Sequence, residues 1–332
     1  MAWTKEQDLA INSSGTNIIV SAGAGSGKTA VLTERVINKV KNGININRLL
    51  ILTFTKAAAL EMKERIRKKL KEAELYEQLD YIDSAYITTF DSFALSIVKK
   101  YHTELNVSSN TSIMDSSIEI LKKNQIITDI FESMYDDGYF KKFIGDFCTK
   151  SDDIIKQVII NLSNKLDLLI DKDKYLDDYI DTHYSDHYID SIINQYMNLI
   201  NKSIENIKES YLSLKSCVNE KYMITFNLDP LLDSKNYDDI KSSIKLVGSP
   251  KKNNECMDDY IIYKDKIKKE LNILTNLTRF ENIEEIRNSY LSTKDYVYVI
   301  IQIIKKYNKI FDEYKKKNDI YTFTDIALMA IS

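Results

Sequence analysis

The sequence predicts an α/β fold, in which a lobe built on a parallel sheet carries a large all-α insertion. Three observations carry this expectation. Strand-like and helix-like apolar patterns alternate through the first hundred residues. Only two prolines and eight glycines occur in 332 residues, with the glycines clustered early, so little breaks helices elsewhere. From Ser116 to Asn318 apolar residues recur at three- and four-residue spacing with no glycine-rich loop. The expected division is a first lobe over 1–115, a helical insertion over 116–318 and a return to the lobe over 319–332.

The elements follow in order. Asn17-Ile18-Ile19-Val20-Ser21 is a short β-branched run, predicted as a strand, and it ends at the glycine cluster. After Thr29, Val31, Leu32, Val36, Ile37 and Val40 fall at helical spacing. Leu49 to Thr53 reads as a second strand, Ala57 to Leu70 as a helix with Met62, Ile66 and Leu70 four apart, and Tyr86 to Thr89 as a third strand. Alternating strands and helices imply a parallel sheet covered on both faces.

Between the first strand and its helix lies Ala22 to Thr29, reading AGAGSGKT. Glycines let successive backbone N–H groups converge on phosphate oxygens, and the following helix presents its positive end to them. Gly23, Ala24, Gly25, Ser26 and Gly27 form the loop with Ala22. Lys28 can reach the β- and γ-phosphates of a nucleotide, and the Thr29 hydroxyl is the expected Mg²⁺ ligand, which makes these two the candidate catalytic residues. The strict phosphate-loop pattern asks for Gly where this chain has Ala22. The alternative is a Gly/Ser-rich turn that happens to precede Lys-Thr; a strand before the loop and a helix after it favour the phosphate loop.

AxxGxGKT with Ala in first position resembles the UvrD/Rep branch of superfamily 1 helicases. Three further segments resemble that branch in order. Trp3-Thr4-Lys5-Glu6-Gln7 is similar to the Q motif, which assigns adenine reading to Gln7. LTFTKAAALEMKERI from Leu52 to Ile66 is similar to motif Ia, and ITTFDSF from Ile87 to Phe93 to motif Ib. The resemblance implies that both face single-stranded DNA, with Phe54, Thr55, Lys56, Thr89 and Phe90 as contacts. In physical terms a Thr hydroxyl or a helix N-terminus can hold a phosphate and an exposed aromatic can stack on a base, although a lone Phe more often packs in a core. Within the branch the AddA type of helicase–nuclease is most similar, through WTxxQ, AGSGKTAVL, Ser112-Ile113-Met114-Asp115 and YTFTDIALMAI at Tyr321 to Ile331. The last is similar to the LDFSDL segment, where the chain returns to the first lobe. The resemblance implies a P-loop NTPase lobe of RecA-like type, ATP and Mg²⁺ as cofactors and DNA as substrate. It also implies that the partner is a second helicase/nuclease subunit. Departures are Asp91 where the family commonly has His, Thr322 for Asp, and Ala30 for an adenine-stacking Arg.

Charge is uneven. Residues 1–100 hold 15 Lys/Arg and 11 Asp/Glu, a balance of +4, which leaves −7 of the overall −3 for the remainder. If a polyanion is bound, this balance puts it at the first hundred residues rather than at the remainder. Cys148, Cys217 and Cys256 are scattered and odd in number, which argues against a disulfide framework or zinc ribbon and for a reduced, cytoplasmic setting. The polar start MAWTKEQD and the lack of a long apolar run predict neither a secretory signal nor a membrane span.

The long middle is predicted helical, with internal loops at Asn227–Asn236 and Val247–Asn254. His183 and His187 stand four apart but lack further ligands at metal spacing, so solvated histidines are expected. Phe311-Asp312-Glu313-Tyr314 imitates a DExx box, yet it sits in a helix-period pattern running from Tyr296, so Asp312 and Glu313 are expected on a helix surface. Lys122-Lys123, Lys141-Lys142, Lys305-Lys306 and Lys315 to Lys317 are expected on a solvated face rather than on DNA. Hydrolysis of ATP needs a second carboxylate pair and arginines for charge developing on the γ-phosphate. With no such set legible, the chain reads as an N-terminal ATP- and DNA-binding fragment of a helicase/nuclease of double-strand break repair, without appreciable ATPase or nuclease activity alone. Two alternatives stand beside it: a non-catalytic DNA- or partner-binding module with a vestigial loop, and a small P-loop kinase.

Overall fold

A computed structural model describes residues 3–15, 17–23, 25–148, 150–217, 226–248 and 257–332. The described elements are α1 (Lys5–Asn12), α2 (Lys28–Lys41), β1 (Leu50–Thr53), α3 (Lys56–Glu72), α4 (Glu77–Tyr81), β2 (Tyr86–Thr89), α5 (Phe90–Lys100), β3 (Ser112–Ile113), α6 (Ser116–Met134), α7 (Gly138–Phe147), α8 (Asp153–Leu166), α9 (Lys172–His183), α10 (Asp186–Cys217), α11 (Asp229–Leu232), α12 (Tyr237–Leu246), α13 (Met257–Leu277), α14 (Ile283–Leu291), α15 (Lys294–Asn318), β4 (Ile320–Tyr321) and α16 (Phe323–Ile331). The chain is thus mostly helical, with small parallel sheets. It divides into two compact units, Met1–Ile126 with Lys309–Ser332, and Ile127–Asn308.

In the first unit β1 pairs in parallel with β2, from Leu50 opposite Tyr86 to Thr53 opposite Thr89. A parallel pair needs a crossover, and α3 supplies it. Ala59, Met62, Ile66 and Leu70 make the buried face of α3, and Met62, Ile66 and Leu70 share a core with Val36, Ile37 and Val40 of α2 and with Ile51 and Ile87 of the strands. Thr55, two residues beyond β1, and Thr89, the last residue of β2, cap the helices that follow, accepting from the N–H groups of Ala58 and Ser92. The unit therefore carries two strand-to-helix turns at the same edge of one sheet.

β3 pairs in parallel with β4, with Ser112 opposite Ile320 and Ile113 opposite Tyr321, so residues some two hundred positions apart in sequence meet as neighbours. α16 then packs on α5 around Val98, Tyr321 and Ile326.

One expected element differs. Asn17 to Ser21 forms no strand, and Ile19 is 97% exposed. β-branched residues favour a pleated, half-buried surface only where a neighbouring strand provides one. Among the described residues β1 and β2 hydrogen-bond only to each other.

The second unit is helical. Ile193, Ile200, Ile207 and Leu214 of α10 lie seven apart and are buried, as are Tyr260, Ile267 and Leu274 of α13. Two helices that each repeat an apolar residue every seven positions present continuous seams to one another; α10 and α13 pack along theirs. The expected loop at Asn227–Asn236 contains the one-turn α11, begun with Pro230 in its first turn, where the missing N–H costs nothing. Of the other expected loop, residues 249–254 lie outside the described residues. No helix among the described residues is long and apolar enough to cross a membrane.

Candidate functional site

The loop before α2 turns on two glycines in the left-handed region, Gly25 at φ +76° and Gly27 at φ +80°, where a side chain is strained. Ala24 lies outside the described residues. Gly27 is the N-cap of α2 and makes no side-chain cap, so the first N–H groups of that helix are left for an outside acceptor. The Ser26 hydroxyl donates to the Gly23 carbonyl at 2.8 Å and tightens the turn. Lys28 folds back over the loop, its ammonium donating to the carbonyls of Ala22 at 2.8 Å and Gly23 at 2.7 Å. Ala22, Ser26 and Lys28 line a cavity of about 780 Å³ together with Gln7, Ile18, Val20, Leu32 and Arg35. That is an ordinary size for a mononucleotide-sized ligand.

Gln7 joins α1 to this loop. Its Oε1 accepts from the Thr4 N–H at 3.0 Å, closing a capping box with the Thr4 hydroxyl, and its Nε2 donates to the Ser26 carbonyl at 3.1 Å. A backbone N–H on one side and a carbonyl on the other fix which end of the amide is oxygen. Each end has capacity for one more bond, so one N–H and one lone pair remain. Arg35 was not legible as a site residue, although its position seven after Lys28, two turns along one face of α2, was a usable signal.

The second set of residues gathers at the strand-to-helix turns. Phe54 follows β1, and Phe90 opens α5; their ring centroids are 6.3 Å apart with the planes inclined 37°. Both project into solvent, Phe54 at 94% exposure, so neither packs in the core. Phe54, Lys56 and Thr89 line a cavity of about 500 Å³ with Asp91, Ser92, Asp115, Ser116 and Phe323. Phe323, the first residue of α16, was missed from the sequence because the β3–β4 pairing and the packing of α16 on α5, between segments far apart in sequence, bring it to the cavity of Phe54 and Thr89. The Thr55 and Thr89 hydroxyl oxygens accept from the N–H groups of Ala58 and Ser92, and the Thr89 hydroxyl also donates to Ser92 Oγ at 2.9 Å.

Phe323 is anchored from behind. Thr322 and Asp325 form a capping box at the start of α16, so Thr does the capping that Asp would do at this position. Lys315, whose side chain is 5% exposed, donates to both oxygens of Asp325 at 2.8 Å and pairs with Asp312 at 2.8 Å. Burial raises the Asp325 carboxyl, but Lys315 and the Thr322 bonds outweigh it and hold the group below its usual range. Burial likewise depresses the Lys315 ammonium, and Asp325 and Asp312 together reverse this and raise it.

These pairs correct three sequence expectations. Lys315 is buried instead of solvated, and so is Lys123, which pairs with Glu119 at 2.6 Å, because each finds a carboxylate that offsets its desolvation. Asp312 lies in α15, as the helical pattern implies, but its carboxylate is half-buried on Lys315 rather than free at the surface. His183 ends α9 and His187 falls in α10, so they share no helix face; His183 stacks on Tyr179 at 4.0 Å and is half-buried. Among the described residues no group of three or more His, Cys, Asp or Glu could hold a metal ion.

The UvrD/REP helicase N-terminal domain family matches residues 3–331. The chain is similar to the A-type subunit of the ATP-dependent helicase/nuclease of Clostridium botulinum, 29% identical over 368 aligned residues covering 99% of this chain and 30% of that protein. It is 32% identical over 373 residues to the corresponding protein of Lactobacillus gasseri, covering 99% of this chain and 31% of the relative. Against that of Pediococcus pentosaceus, identity rises to 42% over 175 residues, which cover 48% of this chain and 14% of the relative. The chain spans about 30% of the length of the first of these relatives.

Proposed function

The chain belongs to the UvrD/REP helicase family, and from that premise we propose that it is an ATP- and single-stranded-DNA-holding part of a DNA motor. The observation that carries this reading is the position of Lys28, whose ammonium lies over the loop carbonyls at the floor of the 780 Å³ cavity. A triphosphate seated on the loop gives Lys28 a better partner than two neutral carbonyls, since an anionic oxygen adds a charge–charge attraction to the hydrogen bond. The Lys28 side chain then exchanges Ala22 and Gly23 for β- and γ-phosphate oxygens, while backbone N–H groups at the start of α2 meet the same anion.

The remaining N–H and lone pair of Gln7 match adenine, which offers N7 as acceptor and the N6 amino group as donor. The Thr29 hydroxyl is the loop oxygen offered to Mg²⁺, which when bound neutralises charge on the phosphates. β1, α3 and β2 form the strand–helix–strand unit expected of a RecA-like lobe.

Across the strand ends, Phe54, Phe90 and Phe323 offer base-stacking surfaces, and Lys56 with the capped starts of α3 and α5 offers phosphate contacts. The relatives carry the name of an ATP-dependent helicase/nuclease. By that likeness the whole protein unwinds and trims DNA ends for recombinational repair, together with a second subunit. This chain holds ATP and DNA without appreciable turnover, because one hydroxyl ligand cannot replace the carboxylate pair that positions water and metal.

The test is a paired titration. ATP with Mg²⁺ is expected to bind the wild-type chain saturably and Lys28→Ala far more weakly, with phosphate release near background in both. Phosphoryl transfer to a small acceptor would instead indicate a kinase, and equal melting temperatures with and without nucleotide would indicate a vestigial loop.

A further inference from the structure

Arg35 lies two turns beyond Lys28 on α2 and lines the same cavity. Its Nη1 donates to the carbonyls of Ala10 at 2.7 Å and Ile11 at 3.2 Å. These belong to the last turn of α1, where carbonyls have no partner within the helix and the helix dipole favours a cation. One turn further along α2, Asn38 adds a bond to the Asn12 side chain at 3.1 Å. The opposite end of α1 is tied to the loop by the Gln7 amide on the Ser26 carbonyl. α1 is therefore held to α2 at its C-terminal end by Arg35 and carries at its N-terminal end the amide that faces the cavity.

We propose that Arg35 is the positioning residue for base selection: by clamping the C-terminal turn of α1 onto α2 it sets where the Gln7 amide stands. This rests on the reading of Gln7 as the group that meets the base. One bond on each side holds that amide, from the Thr4 N–H at 3.0 Å and to the Ser26 carbonyl at 3.1 Å, so a small tilt of α1 moves the amide off its bond to Ser26. Ile11 is buried and keeps α1 docked when the clamp is removed. What is lost is orientation, and with it the pairing of one donor and one acceptor that separates adenine from guanine. Guanine presents two acceptors, N7 and O6, at the corresponding edge. The triphosphate, held by Lys28 and the loop, does not depend on Arg35.

The experiment measures Kd for ATP and for GTP, both with Mg²⁺, on the full chain and on Gln7→Ala, Arg35→Ala, Arg35→Lys and the double variant Gln7→Ala/Arg35→Ala. The wild-type chain is expected to prefer ATP by roughly tenfold or more, as a good bidentate pair gives. Arg35→Ala is expected to bring the ratio to within about threefold of one while GTP affinity stays within about threefold of wild type. The double variant is expected to match Gln7→Ala, because residues acting through one contact are not additive. Arg35→Lys, whose shorter side chain holds the same carbonyls less closely, is expected to fall between wild type and Gln7→Ala, and it carries the test if the alanine variant does not fold. Arg35→Ala or Arg35→Lys weakening ATP and GTP alike, with the ratio unchanged, overturns the proposal and leaves Arg35 a structural residue. A wild-type chain that binds both nucleotides equally overturns the reading of Gln7 itself, and one that binds neither overturns the nucleotide site; the three failures are distinct.

Discussion

Phe54 and Phe90 stand as a tilted aromatic pair with centroids 6.3 Å apart, yet Phe54 is 94% exposed and Phe90 56%. Aromatic pairs usually add to a core; here the pair comes from two successive strand ends of one parallel sheet and faces water with Lys56 beside it. Under the proposed function this exposed pair is a face on which planar bases stack.

Phe54→Ala is expected to weaken binding of a short oligothymidine by about 1–3 kcal/mol, the range for loss of one base–aromatic stack. Folding stability is expected to stay within about 0.5 kcal/mol, since the ring buries almost nothing. Phe323→Ala is expected to act in the same direction. Fluorescence anisotropy at one fixed salt concentration reads the first effect and urea unfolding the second; unchanged affinity in both variants removes the stacking face.

Gly27→Ala places a side chain at φ +80° and a Cβ 3.4 Å from the Gln7 amide. A stability cost of about 1–2 kcal/mol is expected, together with loss of nucleotide binding. Gly43→Ala is the matched control: φ is +90°, nothing lies within 4 Å, and the same stability cost is expected with nucleotide affinity intact. Urea unfolding and calorimetric titration on both variants separate backbone strain from damage to the site.

Lys315 and Asp325 make the stability of the first unit depend on pH at both ends. The folded-state pKa of Asp325 is depressed, so its contribution is present above its unfolded value of about 3.9 and is lost as pH falls through the folded value. That of Lys315 is raised, so its contribution is complete below about 10.4 and is lost as pH rises through the folded value. Lys315→Met is expected to cost about 3 kcal/mol near neutral pH by stranding Asp325. Denaturant unfolding across the pH range is expected to show the gap from wild type narrowing at both extremes; a constant gap contradicts the ion-pair origin.

Much of the first unit was legible because its signals are local. Met62, Ile66 and Leu70 mark one face of α3, and Tyr86 to Thr89 marks β2, without reference to anything distant. The glycine-rich loop was legible for the same reason, since φ above zero at Gly25 and Gly27 is a property of those residues alone. Asn17 to Ser21 was misread because strand formation needs a partner that propensity does not specify. Lys123, Lys315 and Asp312 were misread because burial of a charge depends on a carboxylate or ammonium brought up by the fold. Phe323 and Arg35 were missed for a related reason: each matters through a residue distant in sequence, Phe54 in the same cavity and Ala10 across a helix packing.

The most direct test is calorimetric titration of the full chain with ATP and Mg²⁺, with phosphate release followed in the same samples. Saturable binding that stabilises the fold by about 2.7 kcal/mol at a hundredfold excess over Kd, disappears in Lys28→Ala and proceeds with negligible turnover is the expected result. No binding by the wild-type chain, or robust turnover that Lys28→Ala abolishes, contradicts it.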